Sequence, residues 1–226
     1  MDYTTILALV LAALLGYLLG SVPWGLLIGL INGVDIRTKG SRNIGSTNVT
    51  RVLGGGWGKI CFTLDCLKGL LGVLLGAWLV AKMGVCSPVF AKMAGGAGAI
   101  LGHCYPVWLK FKGGKGVATG GGAALGLAPY PVILALVLWV ILEMRTGVVA
   151  IASLGAAAAV LLLSLLFQVT GWSPVGWPVI LLFACMVAII FYRHKENIQR
   201  LLEGKENSFR KPAKKAAAPK KPEQKK

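Results

Sequence analysis

Carboxylates are scarce in this chain: eight Asp and Glu stand against 24 Lys and Arg, a net charge of +16. No loop gathers the carboxylate cluster that would seat magnesium. The two histidines, His103 and His194, have no partners at zinc-ligand spacing. Neither is followed by an aspartate five residues on, which excludes the His-x4-Asp arrangement of acyl-CoA-using transferases. A G-x-S-x-G elbow is missing as well. Gly113-Gly114-Lys115-Gly116-Val117 has the glycines of a P-loop, but neither its spacing nor a Ser or Thr after the lysine. No metal and no resident cofactor is therefore expected. The cysteines (Cys61, Cys66, Cys86, Cys104 and Cys185) form no Cys-x-x-Cys pair and read as small buried hydrophobes. The first apolar run lacks the basic start and the A-x-A end of a cleaved leader, so it is expected to stay.

Apolar residues, in contrast, make up 56% of the 226 positions, above the ~45–50% of a soluble domain. The chain is expected to be an all-α, polytopic membrane protein with about seven transmembrane helices. The apolar stretches are 4–31, 60–82, 89–102, 117–128, 132–143, 148–168 and 177–192. The first is long enough to cross ~30 Å of hydrocarbon, with Pro23 set to kink it and free a carbonyl. The third to fifth are short enough to be half-helices or strongly tilted. In the second, Asp65 and Lys68 lie three apart on one helical face. An ionisable pair inside a span is a functional-site candidate by default, but a tether that shapes the bundle is the favoured reading.

Residues 1–206 are read as one integral-membrane domain, and 207–226, rich in Lys, Ala and Pro, as a disordered tail. Twelve of the 24 basic residues lie in 193–226, and that end is expected to rest near acidic lipids. The spans leave no surface for nucleic acid. Placing the polar stretches 33–59, 103–116 and 143–147 on one side, with the tail, collects nearly every Lys and Arg there. The positive-inside rule then makes that side cytoplasmic and puts the N-terminus outside, which seven crossings also require.

The first polar stretch carries the densest chemistry. Residues 40–51 combine Gly40 and Gly45 with Ser41, Asn43, Ser46, Thr47 and Asn48, and add Arg42 and Arg51. Glycine lets backbone N–H groups come close to a ligand, and such donors beside guanidinium groups describe a phosphate cradle. A solvated loop that caps the next helix is the plainer alternative. Gly113 to Gly116 precede an apolar helix, so free N–H groups and Lys115 are expected to point at an anion. Lys110 and Lys112 read either as further anion contacts or as interfacial anchors that snorkel. His103, ahead of Pro106 at a membrane boundary, is a site residue or a helix cap. His194 and Asn197 are neighbours at helical spacing, at the same face as both cradles.

In this order the motifs resemble the bacterial integral-membrane acyl-phosphate:glycerol-3-phosphate acyltransferase family. The matching stretches are 20–23, 35–37 with 40–54, 65–69, Gly102-His103, 111–119 and 193–206. The resemblance implies transfer of a fatty acyl group from acyl phosphate to the 1-hydroxyl of glycerol 3-phosphate. The products are lysophosphatidic acid and inorganic phosphate, in the first step of phospholipid synthesis. It implies that loop 40–48 holds the acyl-phosphate head, with Ser41, Asn43, Thr47 and Asn48 as donors. Arg51, Lys115, His194 and Asn197 are implied to hold glycerol 3-phosphate. Catalysis then rests on Ser41, Arg51, Lys115, His194 and Asn197, without a protein nucleophile. Gly40, Gly45, His103, Lys110, Lys112, Gly113, Gly114 and Gly116 are expected to complete substrate binding. Family members carry a serine near the start of the span after the third polar stretch, where this chain has Val148-Val149-Ala150. Ser153 is the nearest hydroxyl and is taken in its place.

The implied setting is the bacterial inner membrane, with the active site facing the cytoplasm, membrane lipids as partners and a monomer as the working state. A carrier for a phosphorylated small molecule is the main alternative, because carriers also bind anions at glycine-broken helices. Against it, the basic clusters sit at one face, and the two halves of the chain show no matching pair of broken helices.

Overall fold

The computed structural model describes residues 2–84 and 88–209, and among them every regular element is a helix. Cys86 and the Lys-rich end from residue 210 lie outside the described residues.

The first span is two helices, α1 (Tyr3–Gly20) and α2 (Trp24–Ile31), separated at Ser21–Pro23. Pro23 has no N–H to continue the ladder, and the break leaves Val22 O outside it, with the Trp24 N–H at 3.1 Å. Val22 O accepts from Lys68 Nζ at 2.9 Å, and Lys68 is itself paired with Asp65 at 2.9 Å. Both residues belong to α4 (Gly55–Met83), and their side chains are 2% and 3% exposed. The pair is thus a tether between two helices, as the spacing suggested.

Among the described residues, four helices are long and apolar enough to cross a membrane: α1 and α2 taken together, α4, α7 (Pro129–Thr146) and α8 (Val149–Thr170). A fifth results when α9 (Trp177–Arg193) and α10 (Lys195–Leu202), bent by 59° at His194, are read as one broken span. The remaining apolar helices are shorter: α5 (Pro88–Cys104) has 17 residues and α6 (Val117–Leu127) has 11. Each of the seven apolar stretches is therefore helical, while length and composition qualify four or five as full spans.

Two boundaries depart from expectation. The stretch 132–143 is expected to be short, yet α7 runs for 18 residues because Pro129 and Pro131 fall in its first turn. A missing N–H costs little there. α4 begins at Gly55, inside the first polar stretch, and packs on α3 (Ser46–Leu53). Gly58 permits this, since a Cβ at that position would lie 1.8 Å from Thr50 Oγ1.

The bundle is drawn together by small residues. A Cβ on Gly16 or Gly20 of α1 would lie 2.2 Å from Gly95 O or 2.0 Å from Ala99 O of α5. Reciprocally, Gly98 and Gly102 of α5 abut Ala13 O and Tyr17 O at 2.2 and 2.1 Å on the same measure. Between α4 and α6, Gly69 faces Thr119 O and Gly122 faces Cys66 O. Small residues four apart share a helix face and let backbones meet, which is how helices associate where lipid removes the hydrophobic drive. An apolar cluster of Val73, Ile100, Ala123, Ala124, Phe183 and Met186 joins α4, α5, α6 and α9. α7 and α8 pack mainly on each other and much less on α6, which leaves an opening between the two groups.

Replacing Gly98 with Ala should lower the melting temperature in detergent, by the ~1–3 kcal/mol typical of overpacking. Gly121→Ala on α6, whose added Cβ meets nothing within 4 Å, should be neutral or stabilising by up to ~1 kcal/mol from helix propensity.

Candidate active site

The first polar loop is built around one amide. Asn48, 1% exposed, accepts the Ser41 N–H on Oδ1 at 2.8 Å. Its Nδ2 donates to Ile36 O at 3.0 Å and Lys39 O at 3.2 Å. Asn48 is expected as a donor to ligand; instead both its amide protons go to loop carbonyls that helix or sheet does not satisfy. Gly40 has φ +56°, and a Cβ there would lie 2.3 Å from Asn48 Oδ1. Its contribution is to make room for that amide. Asn43 Oδ1 accepts the Gly45 N–H at 2.9 Å. Gly45 then caps α3, leaving the N–H groups of Ser46 and Thr47 without intrahelical acceptors.

The second loop differs more from expectation. Gly113 N–H donates to Cys104 O at 3.2 Å and Gly114 N–H to His103 O at 3.0 Å, so neither is a free anion donor. Their carbonyls are also taken, by Arg193 Nη2 at 2.8 Å and Nε at 3.0 Å. A Cβ on Gly114 would lie 2.1 Å from His103 Nε2, so this glycine makes way for the imidazole. Lys110 and Lys112 are exposed and border no part of the cavity described below, as anchors at an interface do. Gly116, at φ +81°, begins α6, and Val117 and Ala118 form its first turn. Lys115 donates through Nζ to Asn197 Oδ1.

The third contribution comes from the C-terminal end. His194 Nδ1 lies 2.8 Å from Ile190 O. A carbonyl only accepts, so Nδ1 carries the proton and the neutral ring keeps Nε2 as an acceptor. Asn197 Nδ2 donates to Glu206 Oε1 at 2.8 Å, and Arg200 Nε donates to Glu206 Oε2 at 2.7 Å. Ser208 Oγ and Phe209 N–H donate to Gly147 O at 3.2 and 2.8 Å, and the Arg51 guanidinium lies 5.3 Å over the Phe209 ring. The segment after α10 therefore folds back over the site through residue 209.

These parts meet in one polar cavity. From the first loop it is lined by Ser41, Asn43, Gly45, Thr47, Asn48 and Arg51. His103, Lys115 and Gly116 come from the second loop, and Ser153, His194 and Asn197 from α8 to α10. Gly40, Lys110, Lys112, Gly113 and Gly114 lie outside it. Ser46, one of the short donors of the expected cradle, lines it too, and so do Asp65 and Glu206, which were not expected there. Asp65 is both tether and wall, with Oδ1 at 3.5 Å from His103 Nδ1. Glu206 could have been noticed as one of few carboxylates, set within a strongly basic end. Among the described residues no group of three or more His, Cys, Asp or Glu is placed to hold a metal.

Phe62, Val117, Ala118, Trp139 and Ser153 are shared with a second, apolar cavity. It runs between α4, α6, α7, α8 and α9. Trp139 Nε1 donates to Ser153 Oγ at 3.3 Å at the junction. The arrangement can hold a molecule that is anionic at one end and hydrocarbon at the other.

A sequence profile described as Glycerol-3-phosphate acyltransferase matches residues 10–204. The chain belongs to this family. Relatives of that name include one from Geotalea daltonii, 42% identical over 206 residues, which span 86% of this chain and 94% of the relative. A second, from Desulforudis audaxviator, is 43% identical and covers 90% and 96%. A third, from Aquifex aeolicus, is 39% identical and covers 85% and 95%. Crystal structures of PlsY, an integral membrane glycerol 3-phosphate acyltransferase, superpose with TM-scores of 0.77 and 0.76 at 37% identity, covering 89% of this chain and 95% of theirs. One is a glycerol 3-phosphate form and the other a lysophosphatidic acid form. As a glycerol-3-phosphate acyltransferase of the membrane, the chain works in phospholipid synthesis.

Burial pulls the Lys115 ammonium down to about 8, with Glu206 opposing the shift. A lowered value means that the cation is lost as pH rises through it. If the cation binds phosphate, kcat/KM should hold below about pH 8 and fall ~10-fold per pH unit above. The activity left in Lys115→Arg should lack this alkaline limb.

Proposed function

We propose that the chain moves a fatty acyl group from acyl phosphate to the 1-hydroxyl of glycerol 3-phosphate, releasing lysophosphatidic acid and inorganic phosphate. The observation that carries this is the direct opening of a cationic polar cavity into an apolar groove through five shared residues. An acyl phosphate has that shape, with a dianionic head and a long tail.

In this reading the head lies against the first turn of α3, where Ser41, Asn43 and Thr47 surround two unpaired backbone donors. The tail lies in the groove. Arg51 and Lys115 bind the phosphate of glycerol 3-phosphate, with Asn197 orienting Lys115 and Glu206 orienting Asn197. His194 Nε2 accepts from the 1-hydroxyl and aims its oxygen. That oxygen attacks the acyl carbonyl carbon, and the bond from this carbon to the phosphate oxygen breaks. Phosphate leaves with the bonding electrons, and the hydroxyl proton passes to one of its oxygens. The mixed anhydride is already activated, so positioning and charge stabilisation supply the rest of the acceleration.

The same reading takes residues up to 206 as the membrane domain, joined by Ser208 and Phe209, which dock on Gly147 although a disordered tail was expected from 207. It has the domain work as a monomer in the bacterial inner membrane. It places the N-terminus outside and the polar cavity on the cytoplasmic side, as the distribution of Lys and Arg argues.

Detergent-purified protein given long-chain acyl phosphate and glycerol 3-phosphate should release phosphate. Turnover without a membrane gradient excludes a carrier. Arg51→Ala and Lys115→Ala should each reduce the rate ~100-fold or more, the loss expected when a charge clamp is removed. Near-normal rates in both variants would remove these residues from the site.

A further inference from the structure

An acyl phosphate has one group that belongs to neither end, the carbonyl between its dianionic head and its hydrocarbon tail. With the head in the polar cavity and the tail in the apolar one, that carbonyl falls where the two cavities share a wall. The shared residues are Phe62, Val117, Ala118, Trp139 and Ser153. Three of these side chains are hydrocarbon. A polar side-chain hydrogen at this wall therefore comes from the Trp139 indole or from the Ser153 hydroxyl.

The two have different tasks. An indole N–H only donates, and Trp139 Nε1 gives its hydrogen to Ser153 Oγ at 3.3 Å. Ser153 is 3% exposed, and its oxygen is the acceptor in that bond, so its own proton still needs a partner. Several hydroxyls elsewhere in the bundle return theirs to the carbonyl four residues back. Ser21 donates to Tyr17 O, Thr146 to Leu142 O, Ser164 to Val160 O and Thr170 to Leu166 O. Ser153 differs, since among the described residues Trp139 is its one hydrogen-bond partner. A buried donor left without an acceptor is unfavourable, and the open side of Ser153 is the cavity junction. Val117 and Ala118 lie in the first turn of α6 at the same wall. That turn adds N–H groups without intrahelical acceptors and the positive end of a helix dipole, both of which favour negative charge there.

We infer that the Ser153 hydroxyl donates to the acyl carbonyl oxygen and stabilises the charge that gathers on it during transfer, with Trp139 as the positioning residue that turns the hydroxyl toward it. This rests on the acyl-transfer reading above. As the 1-hydroxyl oxygen bonds to the carbonyl carbon, the π electrons of C=O move onto the carbonyl oxygen. Ser153 keeps its proton throughout, and its hydrogen bond to that oxygen strengthens. When the bond to the phosphate oxygen breaks, the same electrons re-form C=O in the ester. A donor already aimed at the place where charge develops, in a site poor in water, needs no rearrangement at that moment.

The test compares four detergent-purified proteins: the unaltered chain, Ser153→Ala, Trp139→Phe and the double variant. Infrared difference spectra of bound lysophosphatidic acid, isotope-labelled at its ester carbonyl, read the contact without turnover. The labelled band should lie at lower wavenumber in the unaltered protein than in Ser153→Ala, because a hydrogen bond weakens C=O. In acyl transfer, Ser153→Ala should lower kcat ~100-fold, the loss expected for one oxyanion donor, and leave the KM for glycerol 3-phosphate unchanged. Trp139→Phe keeps a ring but removes the N–H. It should cost up to ~10-fold in kcat, as for one neutral hydrogen bond, and nothing more once residue 153 is alanine. An identical band in the unaltered protein and Ser153→Ala would overturn the inference. So would a kcat that survives loss of the hydroxyl while the melting temperature falls, which makes the pair only a tether between α7 and α8. A raised KM for glycerol 3-phosphate with kcat retained would put the hydroxyl on the other substrate and overturn it as well. Multiplying losses in the double variant would overturn the part given to Trp139. A band that shifts while acyl phosphate supports no turnover in the unaltered protein would sustain the carbonyl contact and defeat the choice of donor.

Discussion

A carbonyl taken out of the helical ladder of a membrane span has to find donors among its neighbours, and the architecture follows from how one such group is answered. The first span breaks at Pro23, between α1 and α2. The break takes Val22 O out of the helical ladder; it accepts from the Trp24 N–H at 3.1 Å and from Lys68, which reaches it from α4 while held by Asp65. Taking one partner from a buried pair of this kind costs ~3–5 kcal/mol. The same carboxylate faces His103, whose carbonyl receives the Gly114 N–H one residue before Lys115. One internal charge pair therefore joins the broken span to the second loop of the cavity.

Close packing is concentrated in half of the bundle. Glycine and alanine bring α1, α4, α5 and α6 to backbone contact, which fixes the polar loops at their ends. α7 and α8 associate chiefly with each other. The less intimate boundary between these groups is where the apolar groove lies, and it begins at the wall of the polar cavity. Rigid support for charge and an open path for hydrocarbon are two results of one uneven distribution of small residues.

The basic residues around the cavity divide by their occupation. Arg193 is committed to the carbonyls of Gly113 and Gly114, and Arg200 to Glu206. Arg51, half-buried against Phe209, and Lys115, held by Asn197, remain to face the cavity. The single carboxylate of Glu206 fixes Asn197 and Arg200 together, and so sets the position of Lys115 at second hand. Glu206 also moderates the repulsion among cations crowded into a poorly solvated space.

Composition and order of motifs were enough to show an all-helical membrane protein, its apolar stretches, the tethering role of Asp65 and Lys68, and the family. They were enough because hydropathy and local spacing act over a few turns of helix. Individual tasks were less legible. Asn48 and Gly113 carry the residue types of ligand donors, yet Asn48 holds loop carbonyls and the Gly113 N–H is taken by Cys104. Which donors stay free depends on carbonyls that lie far away in the chain or across a turn. Glu206 was hidden for the same reason, since its partners Asn197 and Arg200 become a site only when the segment after α10 folds back to Gly147. The sequence by itself determined which residues could meet a phosphate or a lipid, because charge and hydrocarbon are properties of side chains. Only the tertiary structure decided which remained available to do so, because a donor's freedom is settled by the other groups that folding brings within reach.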